Sequence, residues 1–181
     1  GYVGLTTGTC LAHLGHEVTC IDTDVAKIAR IEAGDMPISE DGLAELVAEG
    51  RSSGRLRFTS DLAAGVEGRE FVLLCVPTPQ SADGSADLSF ITAAASAIAP
   101  HVIEGAVVIN KSTVPIGATQ IVADALGRPD VSVVSNPEFL REGSAVHDFT
   151  HPNRVVIGTW TERAANILAD IYNPLYLNET P

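Results

Sequence analysis

The chain has 181 residues, of which 45% are hydrophobic, and this is enough for one ordinary domain with a buried core. Its formal net charge is −12. Because no basic stripe is present to neutralise phosphates, nucleic acid is not an expected partner. No apolar run approaches the ~20 residues of a membrane-spanning helix, so no membrane partner is expected either.

Hydrophobic periodicity and turn residues predict strands that alternate with helices along the chain. The predicted helices are 4–14, 24–33, 41–53, 87–99, 117–126 and 161–172. The predicted strands are 17–22, 55–59, 70–76, 106–109, 131–135 and 154–158, and the apolar run 70–76 is expected to be buried on both faces. This alternation predicts an α/β fold with a doubly wound, mostly parallel sheet that binds ligands at the carboxyl ends of its strands. No shift in composition indicates a domain boundary.

The opening segment GYVGLTTG resembles part of a dinucleotide-binding fingerprint. Gly1 and Gly4 match the second and third glycines of G-x-G-x-x-G, which admit a pyrophosphate and allow close packing of helix and strand. Asp22 ends the next predicted strand, where an acid binds the adenosine ribose, and its charge favours NAD over NADP. Lys27 follows one helical turn later. The alternative is a helix rich in small residues with two spare glycines.

Two further motifs follow predicted strands. In CVPTPQ, the prolines fix a stiff turn at the ligand edge, and the local residues by themselves favour no more than a well-made turn. In NKSTVPIG, Ser112 and Thr113 present hydroxyls that either contact a nicotinamide ring or a reacting water, or cap the next helix. The residues leave both interpretations open.

The segment SNPEFLREGSA carries two carboxylates, Glu138 and Glu142, that share one face if the segment is helical. A pair of carboxylates at a strand end suits general-base catalysis. Considered in isolation, the pair more often marks a solvated helix start near the positive end of the helix dipole.

The cysteines and histidines indicate no metal site. Cys10, Cys20 and Cys75 lie in apolar segments without C-x-x-C spacing, and the five histidines show no metal-ligand spacing. We therefore expect the cysteines to be core thiols, kept reduced in the cytoplasm.

Taken together, the motifs resemble one family, in order, along essentially all 181 residues. The matching segments are GYVGL, GHEV, VPTP, DGSADLS, KSTVPIG, SNPEFLREGSA and HPNRVVIG. In these segments the chain is similar to the UDP-glucose 6-dehydrogenase family, one of the nucleotide-sugar dehydrogenases. KSTVPIG and NPEFLREG are highly specific, whereas the glycine motif is not. The resemblance implies that residues 1–181 are a Rossmann-like NAD-binding domain, and that the central and C-terminal UDP-binding domains lie outside this chain.

The family oxidises the C6 hydroxymethyl group of UDP-glucose to a carboxylate with two molecules of NAD. The resemblance therefore implies NAD as the cofactor and UDP-glucose or a related nucleotide sugar as the substrate. The implied cofactor-binding residues are Gly1, Tyr2, Val3, Gly4, Asp22, Lys27, Val76, Pro77, Thr78, Pro79, Gln80, Ser112 and Glu142. The implied substrate-binding residues are Glu138, Phe139, Leu140, Arg141 and Glu142. The implied catalytic residues are Thr113, which positions water, Glu138, which acts as acid and base in the hydrolysis of a thioester, and Glu142.

The chain departs from the family pattern in several places. The family's nucleophilic Cys, with a catalytic Lys and Asp, belongs to a downstream segment, so we expect the isolated chain not to turn over. We expect a first strand upstream in the sequence, which would lie in the sheet between the strands ending at Asp22 and Val76. Without that strand, we expect residues 1–181 to fold poorly and to bind NAD weakly. In PISEDGL, Ser39 and Asp41 replace a Tyr and a Pro of the family, which makes this loop more flexible.

Two alternative functions stay open. One is a dehydrogenase of another nucleotide sugar, such as GDP-mannose or UDP-N-acetylmannosamine. The other is a non-catalytic NAD-binding module, in which Thr113, Glu138 and Glu142 are structural. The family resemblance also implies that the parent protein forms a homo-oligomer.

Overall fold

The computed structural model describes residues 1–115 and 117–178. Contacts between residues divide the chain into two compact units. Of the described residues, unit 1 comprises Gly1–Gly65, Phe139–Val155 and residues 171–178, and unit 2 comprises those within Val66–Glu138 and Val156–Asp170.

Helices and parallel strands alternate along the described chain. The helices are α1 (Tyr2–His13), α2 (Val25–Glu32), α3 (Leu43–Ser52), α4 (Leu62–Val66), α5 (Ser89–Ile98), α6 (Ala118–Leu126), α7 (Ala145–Thr150) and α8 (Glu162–Tyr172), and a 3-10 helix follows at Asn173–Asn178. The strands are β1 (Val18–Ile21), β2 (Leu56–Thr59), β3 (Phe71–Leu74), β4 (Val107–Asn110) and β5 (Ser132–Ser135). The predicted α/β class with parallel pairing is confirmed.

Unit 1 is built on the parallel pair β1–β2, in which Val18 lies opposite Leu56. Helix α1 packs against β1 and α3, and its apolar side chains contribute to a buried core. Helix and strand lie close together at Gly8, where an added Cβ would lie 2.5 Å from Cys20 Sγ. Cys20 Sγ also lies 3.9 Å from the Gly4 carbonyl oxygen, and the close packing predicted at Gly4 stays a prediction.

Unit 2 is built on the parallel sheet β3–β4–β5. Strand β4 is buried along its whole length, and α5 and α6 pack on each other beside the sheet. The register places Leu74, Asn110 and Ser135 side by side. Because the strands are parallel, the loops that follow these three residues leave the sheet at the same edge.

The structure corrects three details of the predicted elements. Phe71, Val72 and Leu73 of β3 are half-buried and only Leu74 is buried, so the prediction of burial on both faces is wrong for most of the strand. The predicted strand 154–158 is wrong, because its contact with β5 is a single antiparallel bridge between Gly158 and Ser135. The short helices α4 and α7 were not predicted, because segments of five and six residues carry little periodic signal.

Strands β1 and β3 each pair with one neighbour within the described residues. The upstream strand that the sequence leads us to expect therefore stays a prediction. Over residues 1–115 and 117–178, no helix combines the length and apolar character needed to cross a membrane.

Candidate functional site

The first feature of the candidate site is the start of α1 and the carboxylate of Asp22, both in unit 1. Gly1 precedes the helix as its N-cap, and the first turn of the helix holds no acidic residue. The Asp22 side chain follows β1, with Oδ2 2.8 Å from Lys27 Nζ and 2.9 Å from the Gly1 nitrogen. Its Oδ1 accepts a hydrogen bond from the Asp24 amide at 3.1 Å. The structure thus brings together the glycine start, the acid and the lysine that the sequence predicted.

Asp22 is held in its ionised form. Burial by itself raises the pKa of this carboxyl, whereas the hydrogen bonds from the Lys27 side chain and the Asp24 amide lower it, and the pKa lies below its usual value. A carboxylate offers about four lone-pair positions. The Asp24 amide occupies one position on Oδ1, and the other is suitable for a hydroxyl group of a ligand.

These residues fit a dinucleotide. The first amide groups of α1 have no acceptor within the helix, and such amides bind phosphate. The Asp22 carboxylate supplies the acceptor that a ribose diol needs.

The second feature is the edge of unit 2 where β3 and β4 end. Ser112 Oγ donates to the Val76 carbonyl at 2.6 Å, and Thr78 Oγ1 donates to the Thr113 carbonyl at 2.9 Å. The two loops are therefore tied to each other by hydroxyl groups. Helix α6 has Gly117 as its N-cap without a side-chain hydrogen bond, so the helix-capping interpretation of Ser112 and Thr113 is wrong.

The loop after β3 is a closed turn, as its prolines predict. The Asp87 amide donates to the Pro79 carbonyl at 2.8 Å, and Gln80 forms an antiparallel bridge with Ala86. The side chains of Pro77 and Pro79 are exposed. The proposed contact of this loop with a cofactor stays a prediction.

Lys111 is a buried cation at the same edge, and the sequence reasoning missed it. Its side chain is only 4% exposed, and its Nζ donates to Asn136 Oδ1 at 3.2 Å. Asn136 in turn donates through Nδ2 to the Val156 carbonyl at 2.8 Å. Burial lowers the pKa of Lys111 to about 8, against the opposing effects of Cys75 and Glu138. A lysine directly after the buried strand Val107–Asn110 was the signal in the sequence.

The loop after β5 does not have the conformation that the sequence suggested for its carboxylates. Residues 136–144 form no helix, and α7 begins only at Ala145. The expectation that Glu138 and Glu142 share a helical face is therefore wrong, and so is the alternative of acids at a helix start. Glu138 is half-buried after β5, in unit 2, and Glu142 is exposed in a turn of unit 1.

The remaining predicted substrate residues have partners within unit 1. The Arg141 guanidinium pairs with both carboxylate oxygens of Asp148, through Nη2 at 2.6 Å and Nε at 3.1 Å. The hydrogen bond from Arg141 holds the pKa of Asp148 well below its usual range. The ring of Phe139 is about half exposed, and the Arg154 guanidinium lies 5.0 Å from its centre. Leu140 is half-buried.

The cysteines within the structure are free thiols. Cys10 is fully buried, as predicted, whereas Cys20 and Cys75 are half-buried. Burial raises the pKa of Cys10 to about 12 and that of Cys75 to about 11. Both thiols are therefore protonated at neutral pH, which makes them poor nucleophiles.

Comparison with known proteins identifies the family. Residues 1–176 match the family model described as UDP-glucose/GDP-mannose dehydrogenase family, NAD binding domain. The chain is 47% identical to the UDP-glucose 6-dehydrogenase of Rhizobium meliloti (strain 1021), across 100% of this chain and 43% of that protein.

Solved structures agree. A UDP-glucose dehydrogenase from the hyperthermophilic archaeon Pyrobaculum islandicum superposes with a TM-score of 0.90 at 42% identity, covering 97% of this chain and 42% of that one. A GDP-mannose dehydrogenase from Pseudomonas aeruginosa superposes with a TM-score of 0.88 at 34% identity, covering 96% of this chain and 42% of that one. The chain spans about two-fifths of the length of these relatives. It belongs to the UDP-glucose/GDP-mannose dehydrogenase family and matches the NAD-binding domain of that family.

Proposed function

We propose that the protein containing these residues oxidises UDP-glucose to UDP-glucuronate. Each substrate molecule gives up two hydrides, one to each of two NAD molecules, and water supplies the second carboxylate oxygen. The observation that carries the proposal is the shared edge of β3, β4 and β5, which places a hydroxyl loop and a carboxylate loop after aligned strand ends. The 47% identity to a UDP-glucose 6-dehydrogenase supports this choice of substrate.

The cofactor site in unit 1 supplies binding. Residues Gly1, Tyr2, Val3 and Gly4 present the amides that hold a pyrophosphate, and the ionised Asp22 accepts a hydrogen bond from the ribose. Lys27 keeps Asp22 charged and oriented, since its Nζ lies 2.8 Å from Oδ2. The negative charge also disfavours the 2′-phosphate of NADP.

In unit 2, the loops after β3 and β4 act as one surface. Residues Val76, Pro77, Thr78, Pro79 and Gln80 flank the cofactor, and Ser112 contacts its nicotinamide end. The hydrogen bonds Ser112–Val76 and Thr78–Thr113 support these roles, because they fix both loops before a ligand arrives. Preorganised loops bind ligands at a lower entropic cost.

The residues proposed for the hydrolytic step are Glu138, in the loop after β5, and Thr113. In this scheme Thr113 orients a water molecule, and the Glu138 carboxylate removes a proton from it in the hydrolytic step. The Glu138 carboxylate lies close enough to the buried Lys111 to raise the pKa of that lysine, so a cation lies near the carboxylate that we propose as the base.

The loop after β5 supplies the remaining contacts. The residues that line the nucleotide sugar are Glu138, Phe139, Leu140, Arg141 and Glu142, and Glu142 also contacts NAD. The exposed ring of Phe139 and the exposed carboxylate of Glu142 make both available to a ligand. We place the attacking thiol in a part of the protein outside these residues, and the raised pKa values of Cys10 and Cys75 support this placement.

The full-length protein tests the role of Glu138. NADH formation with UDP-glucose is followed at 340 nm for the wild type, Glu138→Gln and a matched control, Glu162→Gln. Glu162 is an exposed acid in the first turn of α8. We expect Glu138→Gln to lower kcat by about 10²–10⁴-fold, the usual contribution of a general base, and the control to leave kcat unchanged. An unchanged kcat in Glu138→Gln with the fold intact would instead favour a structural role.

The second candidate, oxidation of another nucleotide sugar, is favoured by the likeness to a GDP-mannose dehydrogenase. A panel of UDP-glucose, GDP-mannose and UDP-N-acetylmannosamine at equal concentrations decides between the two. The proposal requires the highest kcat/KM with UDP-glucose. A protein that binds NAD but oxidises none of the three would be a binding module.

We further propose a cytoplasmic location and a homo-oligomeric parent protein. The three free thiols suit a reducing compartment. Light scattering on the full-length protein tests the oligomer, and a monomer at micromolar concentration would refute it.

A further inference from the structure

The carboxylate of Glu40 accepts hydrogen bonds from two distant segments of unit 1. Its Oε1 lies 2.6 Å from the Tyr2 hydroxyl and 2.6 Å from the Gly143 amide, and its Oε2 lies 3.0 Å from the Ala145 amide. The hydrogen bond from Tyr2, followed by that from Gly143, lowers the pKa of Glu40. An ionised carboxylate with charge-assisted donors on both oxygens is a strong anchor.

Glu40 takes the place of a local cap for α7. The N-cap of this helix, Ser144, makes no capping hydrogen bond, and its hydroxyl donates to Asp148 instead. The amides of Gly143 and Ala145 therefore have their acceptor in a residue more than a hundred positions earlier. Gly143 has a φ of +89°, a backbone conformation that a glycine adopts without strain.

Tyr2 connects the same carboxylate to the start of α1. It is the first residue of the helix whose amides are proposed to hold the pyrophosphate. Its hydroxyl donates to Glu40 and also lies 3.3 Å from the Arg141 carbonyl. One carboxylate thus joins the proposed cofactor helix to the turn that carries Glu142.

We propose that Glu40 is a positioning residue that couples the cofactor-binding start of α1 to the turn at residues 141–145. The proposal rests on the proposed function, which assigns NAD to α1 and the nucleotide sugar to the turn. Glu40 itself touches neither ligand. It acts by fixing Tyr2 and the turn in one arrangement, so that binding of either ligand favours the geometry that the other requires.

An amide at this position does not reproduce the arrangement. Gln has one oxygen acceptor, and its NH₂ group donates, so in Glu40→Gln at least one of the three donors faces another donor. Tyr2→Phe is a milder change, because it removes one donor and leaves the carboxylate on Gly143 and Ala145. Asp41→Asn is a matched control, since it removes the same charge from the adjacent, exposed residue.

The test uses the full-length protein and three variants: Glu40→Gln, Tyr2→Phe and Asp41→Asn. The KM for NAD, the KM for UDP-glucose and kcat are measured together with the melting temperature. We expect Glu40→Gln to raise both KM values about tenfold, as misplacement of binding groups does. Tyr2→Phe is expected to raise both KM values less, and Asp41→Asn to leave them unchanged. A lower melting temperature with both KM values within twofold of wild type would show a purely structural role and overturn the proposal.

Hydrogen exchange separates this inference from the proposed function. In the wild type, saturating NAD is expected to slow exchange of the Gly143 and Ala145 amides, and this slowing is expected to be lost in Glu40→Gln and retained in Asp41→Asn. This readout does not depend on which sugar nucleotide is oxidised. If the wild type oxidises no UDP-glucose but the NAD-induced protection behaves in this way, the coupling role stands and the substrate proposal fails. Protection that is equal in Glu40→Gln and in the wild type would overturn the coupling role.

Discussion

Replacing Gly8 by Ala tests the packing that holds α1 against β1. An added Cβ would lie 2.5 Å from Cys20 Sγ and 3.4 Å from Val18 Cγ1. Comfortable contacts between heavy atoms are about 3.5–4.0 Å, so the new methyl group overlaps the sulfur by about 1 Å. Either Cys20 leaves its rotamer or α1 moves away from the strand.

Two opposing terms set the size of the effect. Overpacking of a core costs about 1–3 kcal/mol, whereas Ala in place of Gly inside a helix gains about 1 kcal/mol. We therefore expect Gly8→Ala to lower the free energy of unfolding by about 1 kcal/mol. A shift of α1 also moves the Gly1 end of the helix relative to Asp22, so NAD affinity is expected to fall in the same variant.

A double-mutant cycle measures the clash itself. The free energy of unfolding is obtained from urea titrations followed by circular dichroism for the wild type, Gly8→Ala, Cys20→Ala and the double variant. Removal of the sulfur relieves the overlap, so in the Cys20→Ala background Gly8→Ala is expected to be neutral or stabilising. The expected coupling energy is about 1–2 kcal/mol. Equal effects of Gly8→Ala in the two backgrounds would refute the assigned contact.

Three further changes have defined outcomes. Gly65→Ala places a Cβ 2.6 Å from Ile21 Cδ1. We therefore expect the free energy of unfolding, measured by urea titration, to fall by about 1–3 kcal/mol. An unchanged free energy of unfolding would show that Ile21 moves aside. Asp148→Asn removes the charged partner of Arg141, and we expect faster trypsin cleavage after Arg141; an unchanged rate would contradict the pairing. The pKa of Lys111 is about 8 in the folded state, whereas the ordinary value is 10.5. Between these pH values the unfolded state binds more protons than the folded state. The free energy of unfolding is therefore expected to rise with pH from about 8 to about 10.5. The rise is expected to be absent in Lys111→Met, and an identical pH profile in both proteins would contradict the burial argument.

Local signals in the sequence predicted much of the cofactor half of the site. A helix was predicted over residues 24–33, and α2 has Asp24 as its N-cap, whose side chain accepts a hydrogen bond from the Lys27 amide at 3.0 Å. Asp22 was placed at the end of its strand, beside the glycine start. These features depend on residues close in sequence or on a fixed order of strand and helix, which periodicity and capping preferences reveal.

Long-range contacts account for what the sequence did not reveal. No spacing rule connects Glu40 with Gly143 or Lys111 with Asn136, because these pairs meet only once the chain has folded. The predicted shared face for Glu138 and Glu142 required a helix over both residues, but α7 begins only at Ala145. The Ala145 amide at the start of α7 donates to Glu40 in an earlier loop, and no local pattern in the sequence reveals that contact.

The most direct test of the account is the cofactor preference set by Asp22. The dissociation constants of NAD and NADP are measured by calorimetry for the full-length wild type, Asp22→Asn and a control, Asp35→Asn, whose exposed carboxylate pairs with Arg30. We expect the wild type and the control to prefer NAD at least about tenfold, since a carboxylate repels the 2′-phosphate. Asp22→Asn is expected to bind NAD more weakly and to lose most of this preference. The same preference for NAD in Asp22→Asn as in the wild type would contradict the assignment of the adenosine ribose to Asp22.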